Sequence, residues 1–150
     1  MTRGNTRLAA VRAATVVAAL AALVFAPFGA KGAEPAVAHV RIALAPLNAS
    51  AERGSAELTA LGPKTRVVIR LQGEPRDAHQ PANVHDGSCA AVAAIRYPLH
   101  DVRDGSSDTV IPVPLQRLLG RPSVINVQSS AASLRAPKDY HYVSCGEIRA

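Results

Sequence analysis

The sequence predicts an all-β domain, an antiparallel β-sandwich or barrel, and three observations carry that prediction. Short segments of alternating apolar and polar residues recur between residues 40 and 148, separated by turn signals such as Gly62-Pro63 and Asp104-Gly105. Helical periodicity is almost absent beyond the first third of the chain. The core must also be built from Val, Ile, Leu and Ala, because aromatic residues make up only 3% of the chain.

Taken in order, residues 40–44 alternate as a first strand ended by Pro46, and residues 55–61 give a second. Asn48-Ala49-Ser50 matches a glycosylation acceptor, relevant only to a eukaryotic source. A third strand, residues 65–71, is rich in β-branched residues. Its Val67, Ile69 and Leu71 share one face, and Arg66, Val68 and Arg70 share the other, as in a sheet with one buried side. A loop over residues 73–77 leads to a strand carrying Asn83 and His85, and Asp86-Gly87 reads as the turn that breaks it. Small residues 90–94 run into Ile95 to Leu99. Asp104-Gly105-Ser106 is hairpin-like, and Pro112 and Pro114 assign residues 109–113 to an edge. Residues 115–120 predict one or two helical turns. Residues 124–128 and 140–148 finish the strands.

The first third of the chain reads as an address. Arg3, Arg7 and Arg12 precede an uncharged Ala/Val/Leu run from Ala13 to Phe25, and small residues follow at Gly29, Ala30, Gly32 and Ala33. That layout predicts a secretory signal peptide over residues 1–33, with an uncleaved anchor as the alternative. An end at Ala33 would put Lys31 where a small residue is preferred, so ends at Gly32 or Ala30 are also open. The apolar run falls short of the roughly 20 residues that span a bilayer. No stable membrane span is therefore expected once the signal is removed. Residues 34–150 then form a single domain, secreted or periplasmic.

Removing residues 1–33 takes away Arg3, Arg7, Arg12 and Lys31. The 17 basic residues fall to 13 against 11 acidic ones, and the net charge of +6 falls to about +2. The remaining arginines are scattered from Arg41 to Arg149, unlike the clustered basic face of a nucleic-acid binder, so nucleic acid is set aside as a partner. Two cysteines in an exported chain, Cys89 and Cys145, fit a single disulfide, the alternative being two separate buried thiols.

Candidate chemistry gathers at Pro81 to Cys89. Asn83 and His85 lie two apart and so point the same way on a strand. This stretch resembles small exported bacterial proteins of the copper/zinc superoxide dismutase-like superfamily. The features that carry the likeness are Ala82-Asn83-Val84-His85, Gly87-Ser88-Cys89, Arg96 to Leu99, Ile125 to Ser129 and Val143-Ser144-Cys145-Gly146-Glu147-Ile148. The ending Gly146-Glu147-Ile148-Arg149 is also similar to chordin-type repeat domains. The resemblance covers roughly residues 40–148. It implies an eight-stranded Greek-key sandwich with Cys89 bridged to Cys145.

Several residues depart from that superfamily's pattern. Asn83 and Gln128 stand where copper-binding histidines are implied, and Tyr142 stands where an arginine guides the substrate. The loop carrying the zinc ligands has no room between Cys89 and Ile95. Only His85 remains of the implied metal set. Copper(II) favours several imidazoles, and an amide oxygen is a weaker, neutral donor. The expectation is a non-catalytic dismutase-like binding or structural domain of the cell envelope, with no resident cofactor. Two alternatives stay open. One is an active copper protein using a relocated set drawn from His79, His85, His100 and His141. The other is an adhesion or matrix-type interaction module. Singly, each histidine is better explained as a solvated or hydrogen-bonded side chain. Asp86 and Asp101 read as turn residues, and Arg96 as a surface strand charge.

Overall fold

Strand β1 (His39–Pro46) buries Val40, Ile42 and Leu44 and exposes the residues between them. β2 (Arg53–Leu61) and β3 (Lys64–Gln72) continue the same antiparallel sheet in unbroken register, from Arg53↔Gln72 to Leu61↔Lys64. The expected split of β3 is seen, with Val67, Ile69 and Leu71 buried and Arg66 and Arg70 outside. A computed structural model describes residue 1, residues 38–130 and residues 141–150. Apart from Met1, the expected signal peptide lies outside the described residues. Among the described residues no helix is long and apolar enough to cross a membrane.

The remaining strands are β4 (His79–Gln80), β5 (Ala82–Ser88), β6 (Ala91–Pro98), β7 (Val102–Arg103), β8 (Ser106–Ile111), β9 (Ser123–Gln128) and β10 (Tyr142–Glu147), with one short helix, α1 (Leu115–Leu119). The antiparallel order is β4-β7-β8-β3-β2-β1-β10-β9-β5-β6. Eight of these are the long strands expected from the sequence, and β4 and β7 are two-residue additions. β5 pairs with β6, the chain then crosses through β7 to β8 in the other half, and β9 returns to lie beside β5, a return of the Greek-key kind. β6 and β8 are not paired, so the curled sheet stays open there.

β1 joins the two halves. Its first six residues pair with β2, and Ala45 and Pro46 pair with Cys145 and Ser144 of β10. At that corner the backbones approach closely: a Cβ on Gly146 would lie 2.3 Å from the Ala43 carbonyl oxygen. No side chain fits there, which accounts for the glycine after Cys145. The core fills the space between the halves with aliphatic side chains, Leu44, Leu58 and Ile69 from one and Val84, Ile125 and Val127 from the other. Leu115 and Leu118 of α1 close it. Each such side chain contributes on the order of 1.5–3 kcal/mol by leaving water. Aromatic residues add little; Tyr97 packs against the core only partly buried.

Three local readings are corrected. Asp86-Gly87 does not end its strand: β5 runs on to Ser88, and the pair sits in an irregular stretch where the register against β6 shifts. Gly87 has φ +100°, a conformation that serves a bulge as well as a turn. Asp86 is accordingly a strand residue held by Arg96 and Arg121, and Arg96 is the expected surface charge on a strand, here paired with Asp86. Pro112 and Pro114 follow β8 instead of lying within it, although β8 is close to an edge, meeting β7 only at Arg103↔Ser106. Asp104 and Gly105 form the expected tight hairpin turn, both with positive φ.

Candidate functional site

On β5, Ala82 and Val84 enter the core, so Asn83 and His85 point to the other face of the sheet. β9 alternates in the same way: Ile125 and Val127 face the core, while Val124, Asn126 and Gln128 share the face of His85. Cys145 lies opposite Asn126 on that face and is bridged to Cys89 in the β5–β6 turn, with a Cα–Cα distance of 5.8 Å. The expected disulfide is present. It ties the β5–β6 hairpin to the last strand directly beside the candidate site.

The His85 ring is 2% exposed, and its Nδ1 lies 2.9 Å from the Ala93 carbonyl oxygen. A carbonyl can only accept, so in the neutral ring Nδ1 carries the proton and Nε2 keeps a lone pair. That Nε2 is buried and has no hydrogen-bond partner among the described residues. The Tyr142 ring stands edge-on to it, with centroids 5.9 Å apart. A backbone carbonyl orienting one ring nitrogen is also how metal-binding histidines are held. His85 alone would therefore suit a metal.

Its neighbours do not. Asn83 lies directly opposite Asn126, Gln128 is one rung further along, and Tyr142 pairs with Gln128. Amides and a phenol replace the imidazoles, carboxylates and thiolates that hold copper or zinc. Among the described residues no group of three or more His, Cys, Asp and Glu could hold a metal ion. The residues present do not fit a copper/zinc centre.

The other histidines are dispersed. His79 is an exposed residue of β4, six residues before His85, and roughly 20 Å away along an extended chain. His100 sits where the chain crosses from β6 towards β8, its Nδ1 bonded to the Asp108 carbonyl oxygen at 2.8 Å. His141 is the exception: with Asn48, Gln128 and Tyr142 it lines an open pocket of about 290 Å³ on the His85 side. The loop after β1 borders that pocket. Leu47 N–H and Ser50 Oγ–H both donate to the Val143 carbonyl, and the Asn48 amide donates to Tyr142 O. Asn48 thus latches the loop to β10.

Two features of this region were not singled out from the sequence. Asn126 is fully buried, and neither its amide nitrogen nor its oxygen has a partner among the described residues. Such orphaned groups cost about 1–3 kcal/mol each. Asn126→Val is expected to raise stability by about 1 kcal/mol or more in urea denaturation. A loss of similar size would show that the amide holds a bound partner.

The second is Glu52, buried in the β1–β2 loop and accepting a 2.6 Å hydrogen bond from Gln80 Nε2. Burial raises its carboxyl above the usual 4.5; the Gln80 hydrogen bond opposes this, Glu74 adds to it and His141 opposes it. The folded chain therefore holds more protons than the unfolded chain between pH 4.5 and the raised value, and this group withdraws stability as pH rises through that window. Glu52→Gln should match the parent below pH 4.5 and exceed it at about pH 7, read from paired urea melts. A larger gain at the acidic end would refute this.

No protein-family model, no curated protein and no solved structure matches this chain.

Proposed function

We propose that the chain is an exported, superoxide dismutase-like β-sandwich whose copper/zinc centre is degenerate, serving the cell envelope as a non-catalytic binding or structural domain. One observation carries this reading: the side chains gathered around His85 are Asn83, Asn126, Gln128 and Tyr142, none of them an imidazole, carboxylate or thiolate. Redox cycling of copper needs a ligand set that holds both oxidation states, and one imidazole among amides does not supply it. The Greek-key return and the bridge from the β5–β6 turn to β10 support the resemblance on which the reading rests.

The test is the metal content and activity of protein purified without an affinity tag. Expected are no tightly held copper and, with copper supplied, superoxide dismutation at the free-solution rate. Stoichiometric copper with turnover would overturn the proposal, and would indicate that His141 has joined His85.

A further inference from the structure

At the end of the sandwich where β5 turns into β6, one carboxylate is shared by two guanidinium groups. Asp86 Oδ2 lies 3.1 Å from Arg96 Nε, and Asp86 Oδ1 lies 2.8 Å from Arg121 Nη2. Arg117, on α1, lines the same depression and has no acidic partner among the described residues. Three guanidinium groups therefore face one carboxylate, an excess of two positive charges. Asp86 takes one nitrogen from each of its partners, fixing their orientation while leaving their other N–H groups uncommitted to it. Arg96 and Arg121 are thereby pre-ordered, and Arg117 lines the same depression beside them.

The depression itself encloses only about 10 Å³, so a bound anion would sit at its mouth. Arg121 and Ser123 also belong to an adjoining groove of about 440 Å³. Leu119, Pro122 and Ile148 give that groove an apolar wall, and Ser88 and Ser123 supply hydroxyls. Its size is within the range of small-molecule sites. An oxyanion point joined to a mixed groove suits a ligand with a charged head and an organic body.

We propose that this end of the sandwich binds a phosphomonoester. Its phosphoryl group is held by Arg96, Arg117 and Arg121, and its organic part lies along the Leu119–Pro122–Ile148 wall. The charge matches: a phosphomonoester carries about −1.5 to −2 near neutral pH, against an excess of two positive charges. Planar guanidinium groups also pair with phosphoryl oxygens in bidentate fashion, which favours arginine over lysine at such a place. The ligand is either a free phosphate ester or the phosphomonoester headgroup of a lipid. The inference does not depend on the fate of the metal centre.

The experiment titrates the full chain with glycerol 1-phosphate, following arginine Nε–H resonances by NMR. In parallel it measures co-sedimentation with phosphatidylcholine vesicles with and without phosphatidic acid. Saturable shifts at Arg96, Arg117 and Arg121 identify a free ester, and sedimentation that requires phosphatidic acid identifies the lipid headgroup. Either result supports the site only if Arg117→Gln weakens it roughly tenfold, Arg117→Lys less, and Arg53→Gln not at all. Arg117 is exposed and makes no ion pair among the described residues, so circular dichroism should show an intact fold in the variant. No response up to about 10 mM ester and none from the vesicles would overturn the proposal, as would binding unchanged in Arg117→Gln.

Discussion

Replacing Cys89 and Cys145 together by alanine is expected to lower the unfolding free energy by about 2–5 kcal/mol. The two residues lie 56 apart in sequence, and the chain-entropy treatment assigns roughly 4 kcal/mol to closing such a loop in the unfolded state. The position adds a native-state reason for a large effect. The bridge anchors the β5–β6 hairpin, whose register shifts twice and whose β6 is the exposed last strand of the sheet. β6 is held on one side only: it pairs with β5, its Ile95 is open to solvent, and among the described residues it has no strand partner on its outer side. An aliphatic core in a domain of this size leaves a typical margin of only about 5–15 kcal/mol, so the loss would be a large fraction of the total. Urea denaturation of the parent and the double variant measures it. A loss below about 1 kcal/mol would mean that the hairpin is held without the bridge.

The alternating strands were legible in the sequence because a half-buried strand must alternate. β1 and β3 show that pattern over eight and nine residues, enough for the period to be seen. β4 and β7 are two residues long, too short for any period, and they exist only because the chain passes beside a neighbour. Asp86-Gly87 misled for a different reason. The same positive φ serves a turn and a bulge, and only the pairing with β6 and β9 decides between them. The site shows the same division. That Asn83 and His85 share a face follows from their spacing. That Asn83 lies opposite Asn126, with Gln128 a rung further, depends on a register between strands some 40 residues apart. The alternation of Asn126 with Ile125 and Val127 was the available signal for it. The Glu52–Gln80 pair and the Asp86–Arg121 pair, separated by 28 and 35 residues, left no local trace.

Introducing imidazoles at positions 83 and 128 should create a metal site. Asn83→His combined with Gln128→His is expected to tighten copper(II) binding at least about 100-fold over the parent, with Asn83→His alone giving part of that gain. Geometry makes Asn83 the centre. His85 is two residues along the same face, about 7 Å away, and Gln128 is its diagonal neighbour on β9, at a separation of roughly 7–8 Å that long side chains can bridge. Gln128 also borders the open pocket of about 290 Å³, so an imidazole there does not have to force its way into a packed core. Tyr142, opposite Gln128 and 5.9 Å from the His85 ring, links the two positions and would have to move aside. The Ala93 carbonyl already fixes the tautomer of the neutral His85 ring, which keeps the lone pair on Nε2. Isothermal titration gives the affinity, and electron paramagnetic resonance counts the coordinated nitrogens. A double variant that binds no more tightly than the parent would show that these positions do not converge on one point, and the dismutase-like reading of this face would fall with it.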